Sequence, residues 1–275
     1  MGELGYKPLA GKRVVVTRAV EQSQPVAEAL RDAGAEPVLL PLVAFAPPGS
    51  FAELDNFLQS VGQYDWVFFT SQNALRAVHE RCAALGRSLA QAFAGARIAA
   101  VGPATADSIR AAGLCVAYVS NVHRGAALAE ELASQVAGRR VFLPRSDRAN
   151  PELIDSLECK GARVISVMAY KTVPPDADAP RVQETLLQQS VDAILFFSPS
   201  AVHRLHEILG PGRFCDLSTR TIFLAIGPIT ENALRSEGLE RLLVASDTTV
   251  AASVAALVEF FTKAGRQQPA GAKQR

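Results

Sequence analysis

Four short stretches place hydroxyl groups where a helix is about to begin: Ser71-Gln72-Asn73, Gly102-Pro103-Ala104-Thr105, Ser198-Pro199-Ser200 and Gly227-Pro228-Ile229-Thr230. Serine is a favoured N-cap, and proline is favoured in the first helical turn. In the two Gly-Pro stretches the glycine is expected to let the backbone turn tightly, with the threonine hydroxyl in the first turn. The start of a helix offers free N–H groups and a positive dipole end, which together suit carboxylates or phosphates. Arg18 and Arg145 end equivalent hydrophobic runs and add positive charge. Tyr170 stands in VMAYKTVPP where the earlier LVAFAPP has Phe45, so only one of the two carries a phenol able to assist a leaving group. The chemistry these residues suit is the gripping of a small polyanion, with one proton donor beside it. The candidate binding set is therefore Arg18, Ser71, Asn73, Gly102, Thr105, Arg145, Ser198, Ser200, Gly227 and Thr230, with Tyr170 as the candidate catalytic group.

The elements that must position these residues occur twice. IAAVGPATADSIRAAGL at 98–114 and FLAIGPITENALRSEGL at 223–239 share Ala, Gly, Pro, Thr, Arg, Gly and Leu in the same columns. GKRVVVTR at 11–18 matches GRRVFLPR at 138–145, and FTSQNAL at 69–75 matches FFSPSAV at 196–202. Strands are expected at 14–17, 36–45, 66–70, 97–101 and 115–119, and again at 140–144, 163–172, 193–197, 221–226 and 241–245. These runs are continuously apolar and not alternating, as in strands of a parallel sheet covered by helices on both faces. Helices are expected between them, including one over 25–34 with Pro25 in its first turn, and two that stop at Gly113 and Gly238. The fold class is α/β, with two doubly wound parallel-sheet domains of about five strands each. Ligands of such sheets bind outside the carboxyl ends of the strands, where all the candidate residues fall, and the four helix starts are expected to face one cleft between the domains. The segments 38–49 and 164–176 each run into Pro-Pro and are expected to connect the domains as a two-stranded β-ladder hinge. The residues alone leave two connectivities open. Each domain is one half of the chain, or the first βαβ unit completes the sheet of the last third.

Composition narrows the function classes. The 275 residues carry 28 Lys+Arg against 27 Asp+Glu, a net charge of +1, and 49% are hydrophobic. A balanced charge speaks against a general nucleic-acid or membrane-surface binder. No signal segment opens the chain and no apolar run approaches the ~20 residues of a membrane span. Cys82, Cys115, Cys159 and Cys215 are widely spaced and read as reduced thiols in or near cores, in a cytoplasmic protein. His203 and His206 read as solvated helix residues and His79 as an ordinary one. With no nucleotide or metal motif, neither metal nor cofactor is expected. The tail 266–275 is polar and expected to be disordered.

Taken in order, VVVTR, FFTSQNAL, AAVGPATA, AYKT, FFSPSAV and AIGPIT resemble the uroporphyrinogen-III synthases, over residues 11 to 263. The resemblance implies cyclisation of hydroxymethylbilane, a linear tetrapyrrole with acidic arms on every ring, with loss of water and inversion of the last pyrrole. It implies a lyase of haem and related tetrapyrrole synthesis, without metal or organic cofactor, acting as a monomer that could receive its substrate from the preceding enzyme. It also implies the exchanged connectivity, with residues 1–43 and 174–265 in one domain and 49–166 in the other. Tyr170 matches the family's tyrosine; Ser71, Thr105, Ser198 and Thr230 match its cleft-lining positions. Two departures stand out. Phe197 replaces the hydroxyl that Thr70 supplies in the first copy, and SDRANPEL at 146–153 is only loosely similar, which leaves the roles of Arg148 and Asn150 open. The rival readings are a two-lobed anion-binding protein without catalysis and a two-domain sugar-nucleotide transferase.

Overall fold

The computed structural model describes residues 7–60, 62–122, 125–175 and 179–267. Two units divide the chain, one drawn from residues up to Ala44 and from Val173 onward, the other from Phe45–Thr172.

In chain order, β1 (Arg13–Val16), α1 (Val20–Asp32) and β2 (Glu36–Leu39) open the first unit. The second unit follows with β3 (Ala44–Ala46), α2 (Ala52–Gln59), β4 (Trp66–Phe69), α3 (Gln72–Ala84), α4 (Leu89–Ala92), β5 (Arg97–Ala100), α5 (Pro103–Ala111) and β6 (Tyr118–Val119). It closes with α6 (Gly125–Glu131), α7 (Ala133–Val136), β7 (Arg140–Ser146), α8 (Glu152–Cys159) and β8 (Arg163–Val173). The chain then returns to the first unit through α9 (Ala179–Gln183, continued by a π-helical turn over Glu184–Gln188), β9 (Ala193–Phe196) and α10 (Pro199–Leu209). There α11 (Pro211–Arg220), β10 (Ile222–Ala225), α12 (Pro228–Ser236), β11 (Leu243–Val244) and α13 (Val250–Gln267) complete it.

The first unit's sheet has the order β2-β1-β9-β10-β11, all pairs parallel. The second unit's sheet has the order β3-β8-β7-β4-β5-β6, parallel from β8 to β6. Under the sequence repeat β7 corresponds to β1 and β4 to β9. The two sheets therefore share one strand order, entered at different points of the chain, and β3 is an extra edge strand beside β8. Both faces of each sheet are covered. Val67, Phe69 and Phe142 lie in one apolar cluster and Trp66, Phe68 and Val141 in another, so WVFF is buried throughout.

Several expectations need correction. The strand expected over 36–45 is two strands in different sheets. Leu40 and Leu42 still donate to the carbonyls of Val16, in β1, and Thr17, just past it, and from Ala44 the chain joins the other sheet. The helix α1 begins at Val20, leaving Pro25 inside it. Ser23 Oγ donates to the carbonyls of Arg18 and Ala19 and steadies that early start. Gly102 and Gly227 are extended, a conformation any residue adopts, so a tight turn is not their reason. At Gly227 a Cβ would lie 2.9 Å from Cγ2 of the exposed Thr248, so an added side chain would require that threonine to shift. The glycine stops hold: Gly113 and Gly238 have φ of 81° and 87°, the left-handed region where glycine costs nothing. Of the cysteines only Cys82 is buried, where desolvation pushes its thiol up to about 11; the other three are exposed. The helix α13 continues through residues 266 and 267, and the rest of the expected tail, 268–275, lies outside the described residues.

Candidate active site

In a doubly wound sheet the strand order reverses at one point, and the crevice beyond the strand ends there is where ligands bind. In the first unit the reversal lies between β1 and β9. Thr17, just past β1, clamps the two strands together, its N–H and its Oγ both donating to the Leu195 carbonyl at 3.3 and 2.7 Å. Arg18 follows at the mouth. Its Nε donates to Gln22 Oε1 at 3.0 Å, and its guanidinium lies 5.1 Å from the centre of the Phe197 ring. Phe197, which costs this copy a hydroxyl, thus gives Arg18 an aromatic face to rest on. Burial lowers the pKa of Arg18, and the group remains a cation. Ser198 caps α10 by accepting the Ala201 N–H at 3.4 Å, with Ser200 half-buried in the first turn. Gly227 caps α12 without a side chain, and Thr230 in its first turn is 3% exposed.

In the second unit the reversal lies between β4 and β7. Here Pro144 stands where the first unit has Thr17. It has neither N–H nor hydroxyl, and the β4–β7 ladder ends at Val67–Phe142. Ser71 caps α3, accepting the Ala74 N–H at 3.1 Å, and its Oγ also lies 3.3 Å from the Tyr170 hydroxyl. A bulge brings Tyr170 to that place. Arg145 pairs with Met168 but the next residue, Ser146, pairs with Tyr170, so Ala169 is the extra residue of β8. The Phe45 ring meets Tyr170 edge-on, 5.5 Å between centres. Gln72 Nε2 donates to the Ala104 carbonyl at 2.9 Å and ties the start of α3 to that of α5, where Gly102 is the cap and Thr105 is 6% exposed.

The candidate residues thus gather within each unit at the reversal point and at the neighbouring helix start: Arg18, Ser198, Ser200, Gly227 and Thr230 in one, Ser71, Asn73, Gly102, Thr105, Arg145 and Tyr170 in the other. Arg145 differs from Arg18. Its Nη2 donates to the Ala149 carbonyl at 3.0 Å, fastening the 146–150 loop, while Nη1 is buried without a hydrogen-bond partner. Asn150 caps the turn into α8 through the Glu152 N–H. His203 and His206 are more than solvated helix residues, since their Nδ1 atoms lie 2.8 and 3.1 Å from the two oxygens of Glu237. Among the described residues no group of three or more His, Cys, Asp or Glu could hold a metal ion, and no helix is long and apolar enough to cross a membrane.

The sequence reading missed Arg76. It stands on α3, where the second copy has His203, and lines a cavity of about 260 Å³ beside Tyr170. That difference between the copies, of the same kind as Phe45 against Tyr170, is the signal that could have found it.

The serine caps make a prediction. Ser198→Ala should lower stability by about 1 kcal/mol, the loss typical of a missing N-cap, with little effect on turnover. Ser71→Ala should lower stability equally and turnover more, because it also frees the Tyr170 hydroxyl. Thermal unfolding and initial rates of both variants check this; equal turnover in the two would mean that the Ser71–Tyr170 contact has no functional part.

The family model described as uroporphyrinogen-III synthase HemD matches residues 24–255. A Synechococcus elongatus uroporphyrinogen-III synthase is 32% identical over 227 residues, covering 82% of this chain and 85% of its own length. Among solved structures, a mutant uroporphyrinogen III synthase of Thermus thermophilus superposes with a TM-score of 0.62 at 24% identity, covering 94% of this chain and 100% of its own. The Helicobacter pylori uroporphyrinogen-III synthetase reaches 0.63 at 14% identity, covering 90% and 99%. Both carry the same fold.

Proposed function

The chain belongs to the uroporphyrinogen-III synthase family, enzymes of tetrapyrrole synthesis, and from that premise we propose that it is a lyase that closes hydroxymethylbilane into uroporphyrinogen III. The C–O bond of the hydroxymethyl group breaks, and the hydroxyl leaves as water with a proton supplied at the site. The pyrrole nitrogen's electron pair stabilises the cation left behind. The last ring's substituted α-carbon attacks it, which gives a spiro intermediate. The older bond from that carbon to the neighbouring ring's methylene then breaks and leaves a second stabilised cation. The last ring's free α-carbon attacks this cation with loss of its proton, so the macrocycle closes with the last ring reversed. Tyr170 donates a hydrogen bond to the departing hydroxyl. Helix starts and Arg18 hold the substrate's carboxylates, and holding is much of the catalysis, since the reaction joins two ends of one flexible molecule.

The observation that carries this reading is the Tyr170 hydroxyl, 3.3 Å from a helix-capping serine at one of two like-built crevices, with no phenol at the equivalent position of the repeat. The reading needs neither metal nor organic cofactor, and it treats the protein as a cytoplasmic monomer; the unpaired cysteines suit a reducing compartment. Incubation with freshly made hydroxymethylbilane after exhaustive chelation and desalting is the test. Type III product is expected, against the type I that forms spontaneously. Type I alone would leave the anion-binding reading, and activity restored only by a divalent ion would overturn the cofactor-free mechanism.

A further inference from the structure

We propose that the cavity beside Tyr170 is a subsite for a single pyrrole ring, the one that bears the hydroxymethyl group, and that Arg76 receives one of its carboxylates. The inference rests on the reading that this chain acts on a linear tetrapyrrole. At about 260 Å³ the cavity is smaller than the roughly 300–1,000 Å³ of pockets that enclose whole drug-sized ligands, so it admits one substituted five-membered ring and excludes a four-ring chain. Its walls include Phe45, Phe51, Ala169 and the Tyr170 ring, apolar surfaces for the flat π-face of a pyrrole.

Two guanidinium groups line the same cavity, and they are not equivalent. Arg81 gives Nε and Nη2 to the two oxygens of Asp55 and lies 4.2 Å over the Phe51 ring. Those bonds hold the Asp55 carboxyl below its ordinary range, so the charge of Arg81 is already matched. Arg76 has Glu80 at 3.9 Å, an i,i+4 pair at the surface of α3, and rests 5.7 Å from the Phe45 ring. An exposed pair at that distance binds weakly, and a planar carboxylate offering two oxygens would displace it. A ring seated between Phe45 and Arg76 lies against Tyr170, the group assigned to the departing hydroxyl. That is why the ring is the one carrying the hydroxymethyl arm.

Steady-state kinetics and a binding measurement test this. Arg76→Gln, a change on a partly exposed helix face, should raise KM about tenfold or more while kcat changes little, as expected for a lost charge-assisted bond. Arg76→Lys should recover part of the loss, and Glu80→Gln should lower KM by removing the competitor. In the binding arm, a monopyrrole carrying one acetate and one propionate arm is titrated into the wild type. It should shift the amide signals of Ala77 and Ala169 saturably, and Arg76→Gln should weaken that response. An unchanged KM in natively folded Arg76→Gln would overturn the proposal, as would monopyrrole shifts confined to residues outside the cavity. If the wild type yields only type I product, the assigned activity falls, and the monopyrrole titration still decides the cavity.

Discussion

Tyr170→Phe is expected to form type III product about 10²-fold more slowly than the wild type, the usual worth of a positioned general acid, without abolishing it. The hydroxymethylpyrrole ionises readily, so the loss is bounded by what the substrate does unaided. The structure makes this a clean deletion. The ring keeps its edge-on contact with Phe45, and among the described residues the hydroxyl's partner left behind is Ser71 Oγ, which still accepts the Ala74 N–H. Stability should therefore fall by no more than about 1 kcal/mol. The repeat supplies the control. Phe45→Tyr adds a hydroxyl at the equivalent position, on a wall of the proposed subsite, and should leave kcat nearly unchanged, with any effect falling on KM. Initial rates of type III formation for both variants, beside their melting temperatures, decide the matter. If Tyr170→Phe runs at wild-type speed, Tyr170 is a packing residue and catalysis rests on folding the substrate alone.

Phe142→Ala should destabilise the second unit by about 3–5 kcal/mol, the cost of emptying an aromatic core site. Phe142 is fully buried in β7 and sits among three other rings, with centres 5.8 Å from Phe57, 5.2 Å from Tyr64 and 6.1 Å from Phe93. No single neighbour can close the void, because each ring is held by its own strand, helix or turn. Tyr64 makes matters worse, since its hydroxyl is already buried without a partner. A loss of that size is a large share of the stability of an ordinary domain. Val15 occupies the equivalent place in the first unit, also fully buried, and Val15→Ala removes far less volume and should cost distinctly less. Denaturant unfolding with hydrogen exchange read separately over β4 and β7, and over β1 and β9, measures both. A loss below about 1 kcal/mol in Phe142→Ala would show that the cluster repacks and is not a fixed support for the β4–β7 crevice.

What the sequence determined is what is settled within a few residues. Ser71 and Ser198 cap because a serine Oγ reaches the N–H three residues on. Gly113 and Gly238 end their helices because the chain turns left-handed there, which glycine does without a Cβ penalty. Runs such as WVFF announce strands buried on both faces, and the repeat announces that the unit is used twice. Tertiary structure decided everything that depends on pairing between distant segments. One apolar run is divided between two sheets, the change falling between Leu42 and Ala44, and nothing local says where its second half will pair. The shared strand order is invisible along the chain because the two units enter it at different strands. Ser71 and Tyr170 are 99 residues apart, and they meet because the bulge at Ala169 sets which residue of β8 lies across from Ser146. Arg76 reads as one more charge on an amphipathic helix until β3 and β8 pack aromatic rings beside it. Backbone propensity and capping act over a single turn, whereas register, bulges and cavities arise only when strands from separate parts of the chain share hydrogen bonds.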